Sequence, residues 1–145
     1  MRILILIILV AIYTIPAYCQ TDCVSPHEEN YRKVMSPAFA KEYEKCPVTI
    51  TAEYFTDGYL KNYRKPNKIK NMYFFQCTNI GEIAKPAPLT NEMSGDFFVI
   101  DKAKADKVLE LKKGDKLKLT GTTFTQNYFG TELSTFFVVT MIEKL

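Results

Sequence analysis

The sequence predicts an all-β domain with short helices, preceded by an N-terminal helical segment and a signal peptide. Three observations carry that expectation. Apolar residues make up 47% and charged residues 24% of 145 positions, a globular balance that excludes disorder for most of the chain. From Val48 the apolar period is two, and four later stretches also read as strands. Helical spacing occurs only in short pieces, over 26–45 and 102–111.

The first segment reads as a targeting signal. Arg2 supplies the positive start, and Ile3 to Ile15 carries no charge. That run falls short of the roughly 20 apolar residues a spanning helix needs. Pro16 ends it, and Ala17-Tyr18-Cys19 puts small residues where a signal peptidase reads, so cleavage is expected after Cys19. The expected location is secreted or periplasmic. A cysteine directly behind an apolar run also resembles a lipoprotein signal, with Cys19 as the lipidated residue and the protein anchored to the cell envelope. Pro16 and Tyr18 depart from that pattern, which keeps plain secretion ahead. The division expected is 1–19 signal peptide, 20–46 helical extension and 47–145 β domain.

Each element has a local reason. Ser25-Pro26-His27-Glu28 reads as a helix start, with Ser25 as cap and Glu28 completing a capping box. Tyr31, Val34 and Met35 follow at helical spacing, Ser36-Pro37 interrupts, and Phe39, Ala40 and Tyr43 resume. Val48, Ile50, Ala52 and Tyr54 alternate with Thr49, Thr51, Glu53 and Phe55 as a first strand. Asp57-Gly58 opens a long basic loop. Residues 71–78 form the second strand, 79–94 a long connection and 96–101 the third strand. A short helix at 102–111 has Ala105, Val108 and Leu109 on one face. Lys113-Gly114-Asp115 turns into a fourth strand, 116–123, and a turn at 126–130 leads to a fifth, 134–142.

Export permits disulfides. After cleavage behind Cys19, Cys23, Cys46 and Cys77 remain, so one pair forms and one thiol is left. Cys46 and Cys77 fall at facing ends of the first hairpin, and they are the expected pair; pairing of Cys23 with either is the alternative. Cys23, His27, Cys46 and Cys77 lack the close Cys-x-x-Cys spacing of zinc modules, so no metal and no cofactor are expected.

The order strand, strand, strand, short helix, strand, strand resembles that of the OB-fold, a small closed five-stranded barrel. The stretch Leu111-Lys112-Lys113-Gly114-Asp115-Lys116-Leu117-Lys118-Leu119-Thr120-Gly121-Thr122 is similar to the helix-to-fourth-strand passage of the OB group likened to tRNA-anticodon-binding domains. The resemblance covers roughly residues 47–145. An antiparallel sheet with helices on one face is the competing fold. The resemblance implies a ligand face on strands 2 and 3, flanked by the loops between strands 1 and 2 and between strands 4 and 5. Here those loops carry Tyr59, Lys61, Tyr63, Arg64 and Lys65, and Tyr128 and Phe129. Basic residues interleaved with aromatics suit a groove that tracks an anionic chain and stacks rings. Both loops are expected at one end of the barrel, with Tyr73 or Phe75 on the groove floor.

Charge is segregated along the chain, and the lysines of 102–118 read as ordinary surface. Residues 57–71 and 102–118 are each net +4, while the mature chain as a whole is only +2. Catalysis is not expected. There is one His, no G-x-S-x-G elbow and no phosphate-binding glycine loop, and Asp96 and Asp101 bracket the third strand as caps would. The expected function is a secreted or envelope-associated, non-enzymatic binding module, with an unknown protein or an anionic oligomer as partner. A single-strand nucleic-acid binder is the alternative, disfavoured by export, and a small exported enzyme is a further one. Contact with a membrane is expected only if Cys19 is lipidated.

Overall fold

The computed structural model describes residue 23 and residues 25–57, 67–86, 93–127 and 133–145. Seven strands are present among them: β1 (Val48–Asp57), β2 (Met72–Thr78), β3 (Lys85–Pro86), β4 (Met93–Ser94), β5 (Asp96–Asp101), β6 (Lys116–Asn127) and β7 (Leu133–Lys144). Two short helices accompany them, α1 (Tyr31–Met35) and α2 (Asp106–Leu109). β1, β2, β5, β7 and β6 close into a barrel in that order. All its pairs are antiparallel except β5 with β7. A closed five-stranded barrel with this order, and a short helix between its third and fourth strands, has the OB topology. The domain is an OB-fold. The connection 79–94, expected to be irregular, contains the small β3–β4 ribbon.

Alternation builds the interior. Ile50, Ala52, Tyr54, Phe75, Cys77, Phe98, Ile100, Leu117, Leu119, Phe137 and Val139 point inward and are buried together. The rings of Phe75, Phe98 and Phe137 run across β2, β5 and β7 at 5.6 Å between neighbouring centroids. At Gly121 a side chain is barred by the backbone, since a Cβ would lie 2.1 Å from the Val138 carbonyl oxygen.

β1 is shared between two neighbours on opposite edges. Val48–Glu53 pairs with β6, and Glu53–Asp57 pairs with β2, with a bulge between Tyr54 and Thr56. The first half therefore has a free edge on the β2 side. The extension fills it: the Thr49 amide donates to the His27 carbonyl at 2.9 Å, and the Glu29 amide to the Thr49 carbonyl at 2.8 Å. This corrects the expected helix start. Residues 27–29 are extended because the strand edge claims their backbone, and the helix begins at Tyr31 under Asn30, whose Oδ1 accepts from the Arg32 and Lys33 amides.

The extension then seals one barrel end. Tyr31, Val34, Met35 and Tyr43 join the interior cluster. The Tyr31 hydroxyl lies 2.8 Å from Asp96 Oδ2 and 3.1 Å from the Cys77 carbonyl, and the Thr123 hydroxyl donates to the Ala40 carbonyl. Tyr43 donates to Glu29 Oε2 at 2.7 Å. The break at Ser36-Pro37 is observed: α1 stops there and a 3₁₀ turn spans Ala40–Tyr43.

The expected Cys46–Cys77 disulfide is not formed. Cys23 pairs with Cys46, with Cα atoms 5.2 Å apart, and Cys77 is free and buried. The reason is strand register, which sets Cys77 opposite Tyr54, far along β1 from Cys46. Cys77 shares the inward face of β2 with Phe75, while Cys46 precedes β1 outside the barrel, where the extension comes back alongside it.

Candidate functional site

The strand pairings sort the chain connections between two barrel ends. Thr49 faces Thr120, and Glu53 faces Lys116, so the end of β1 lies beside the start of β6. The connection from β1 to β2 leaves Asp57 at that end, whereas the connection from β6 to β7 leaves Asn127 at the sealed end. The two loops expected to flank one groove thus spring from opposite ends of the barrel. The antiparallel β1–β6 pairing forces this, because two antiparallel neighbours finish at opposite ends. Tyr59, Lys61, Tyr63, Arg64, Lys65, Tyr128 and Phe129 lie outside the described residues, as does Cys19.

The expected groove floor is also corrected. Phe75 is fully buried inside the barrel, and half-buried Tyr73 packs against the same interior cluster, its hydroxyl donating to Asp57 Oδ2 at 3.2 Å. The outer face of β2 and β5 is made instead by Met72, Phe74, Gln76, Phe97 and Val99. The signal for this was present in the sequence. Gln76, the polar residue inside an otherwise apolar strand, shares parity with Phe74 and not with Phe75.

That outer face is aromatic and continues across the barrel wall. Phe74 meets Phe97 at 5.5 Å, Phe97 meets Phe136 at 5.2 Å, and Phe136 stacks on Phe124 at 5.0 Å with the planes 7° apart. Ile69 is buried against this cluster, and the Lys68 ammonium stands 5.3 Å above the Phe124 ring. Met72, Phe97 and Val138 remain half-buried at its margin. Gln76 closes one border, its Oε1 accepting from the Gly95 amide at 2.8 Å and the Ser94 hydroxyl at 3.1 Å.

The described ends of the two basic segments come together. Residues 57–71 lead into β2, and residues 102–118 leave β5, and Met72 pairs with Asp101 in register. Lys70 and Lys102 are therefore neighbours at the end opposite the N-terminal extension. Some of the lysines are neutralised: Lys144 by Asp115 at 2.7 Å, and Lys118 by Glu28. Among the described residues Lys70, Lys102, Lys107 and Lys116 form no ion pair.

The carboxylates at the ends of β5 have local roles. Asp101 caps the following turn, accepting from the Ala103 amide at 2.8 Å. Burial raises the Asp96 carboxyl above the ordinary aspartate range, opposed by the Tyr31 hydrogen bond. Burial likewise pushes the Tyr31 hydroxyl and the Cys77 thiol upward, holding both neutral. His27 is an exposed side chain 3.7 Å from Glu29. Among the described residues no cluster of three or more His, Cys, Asp or Glu is placed to hold a metal ion, and no helix is long and apolar enough to cross a membrane.

No protein-family model and no curated protein matches the chain. Solved structures similar to it include the N-terminal domain of PriB from Thermoanaerobacter tencongensis, at 17% identity over 68% of this chain and 94% of that one, TM-score 0.39. A small single-stranded DNA-binding protein from Streptomyces coelicolor is similar at 14% identity, 68% and 93% coverage and TM-score 0.40. The Schizosaccharomyces pombe Pot1pC domain bound to single-stranded DNA is similar at 12%, 68% and 78%, and 0.39. The fold assignment rests on the strand order described above.

Proposed function

We propose that this protein is an exported, non-catalytic OB-fold binding module whose ligand is a single-stranded polyanion, with nucleic acid as its class. One observation carries the reading: Lys70 and Lys102, from two basic segments far apart in sequence, stand beside each other where β2 begins next to the end of β5. A chain of phosphates crossing that end would meet Lys70 and Lys102 first, and the half-buried Phe97 and Met72 lie farther along the same outer face. This ranks nucleic acid above the unspecified partner expected from sequence. Export remains part of the proposal, supported by the charge-free run behind Arg2 and by the Cys23–Cys46 disulfide.

The test is fluorescence anisotropy with a labelled oligothymidine, repeated with a sulfated glycan of matched charge. For about four phosphate contacts, affinity should fall about fifty-fold between 50 and 200 mM salt. Lys70→Glu combined with Lys102→Glu should reduce both the affinity and the salt slope. Equal binding by the wild type and that double variant would sink the reading, and preference for the glycan would replace nucleic acid as the ligand class.

A further inference from the structure

We infer that the edge of β1 over Phe55–Asp57 is a strand-addition site for an extended, acidic peptide segment of a partner protein. The inference is independent of the polyanion reading, because it concerns a different edge and a different ligand.

The starting observation is how β1 ends. Its ladder with β6 closes at Glu53 opposite Lys116. One further exchange follows: the Tyr54 amide donates to the Asp115 carbonyl at 2.8 Å, and the Gly114 amide donates to the Tyr54 carbonyl at 2.9 Å. β1 then runs on to Asp57 with β2 on one side. On the other side no strand faces Phe55–Asp57 among the described residues. Such an edge is a template for another extended backbone unless it is covered.

The chain itself shows what fits an edge of this kind. The opposite half-edge, at Thr49, is occupied by the extended segment His27–Glu29 through two backbone hydrogen bonds. The two half-edges are consequences of the same sharing of β1 between β2 and β6. One is filled in cis, and among the described residues the other is unfilled.

The surroundings select the peptide. The edge forms one wall of a groove of about 370 Å³ whose other wall is Leu109, Leu111 and Lys113. Leu109 is 59% exposed on the rim and offers an apolar contact. The Lys113 ammonium sits 4.6 Å above the Phe55 ring and has no carboxylate partner among the described residues. The Asp57 carboxylate keeps its charge but is directed to β2, where it accepts from the Tyr73 hydroxyl. An acidic side chain on the incoming strand would pair with Lys113, and its apolar neighbours would cover Leu109.

The probe is a short synthetic peptide of alternating Thr and Val with one central Glu, compared with the same peptide N-methylated at alternate amides. Binding is followed by amide chemical shifts and hydrogen exchange on the purified protein. The parent peptide should slow exchange within residues 55–57, and the N-methylated peptide should not bind. Leu109→Asp and Lys113→Glu should each weaken binding roughly tenfold, about 1.4 kcal/mol, with the melting temperature unchanged. Lys70→Glu with Lys102→Glu should leave it intact. The inference is overturned if both peptides bind alike, which would mark a side-chain pocket, or if the parent peptide fails to bind at millimolar concentration. Concentration-dependent protection of 55–57 without peptide would overturn it too, giving the edge to a second copy of the chain.

Discussion

The two ends of the barrel are built on opposite plans. The sealed end is filled by Tyr31, Val34, Met35 and Tyr43, tied by hydrogen bonds to β2, β5 and β6 and fastened by the Cys23–Cys46 disulfide. The opposite end is stopped, among the described residues, by a four-residue helix with one fully buried side chain, Val108, and it gathers lysines. An OB barrel needs both ends stopped, because its interior is apolar throughout. Here the heavier stopper comes from outside the fifth-strand core, from the N-terminal extension. The difference teaches where an apolar stopper can be concentrated: the extension buries four side chains at one end, and the lysines of the other end stay at the surface.

The comparison is broken most severely at Tyr31. Tyr31→Ala removes a buried ring packed 6.2 Å from Phe98 and should cost about 3–5 kcal/mol, measured by urea unfolding. A loss below about 1 kcal/mol would mean that the extension is an appendage and not a stopper. Reducing the disulfide comes next. Opening a loop of sequence separation 23 should cost about 3 kcal/mol by chain entropy, read as a lower melting temperature in reductant.

A subtler effect follows from Asp96. Its carboxyl titrates above the ordinary range in the folded state because it is withdrawn from water, so the fold binds that proton more tightly than the unfolded chain does. Its contribution to stability is therefore greatest at acid pH and declines as pH rises through the ordinary value to the raised one. Asp96→Asn should flatten that part of the stability profile, and an unchanged slope would remove Asp96 from the account. The smallest effect belongs to the other end. Lys70→Glu with Lys102→Glu should change stability by no more than about 0.5 kcal/mol, since neither makes an ion pair among the described residues. Thermal unfolding checks this, and a large loss would make those lysines structural.

Much of the barrel was legible from local chemistry. The alternation of Val48, Ile50, Ala52 and Tyr54, the turn at Lys113-Gly114-Asp115 and the break at Ser36-Pro37 are where the sequence put them, because period, glycine and proline act over a few residues. The candidate site was less legible. β2 is apolar on both faces, so only Gln76 marks which side is out, and the outer face falls to Phe74 where Tyr73 or Phe75 is expected.

By itself, then, the sequence determined the five barrel strands, the helix between the third and fourth, and the charge segregation of 57–71 and 102–118. Those depend on short-range periodicity and on composition. Only the tertiary structure decided that Cys46 meets Cys23, that residues 27–29 become a strand segment instead of a helix start, and that Lys70 and Lys102 share one end. Each of these turns on which edges and ends are brought together when the barrel closes. Closure is a relation between residues tens of positions apart, and no local pattern carries it.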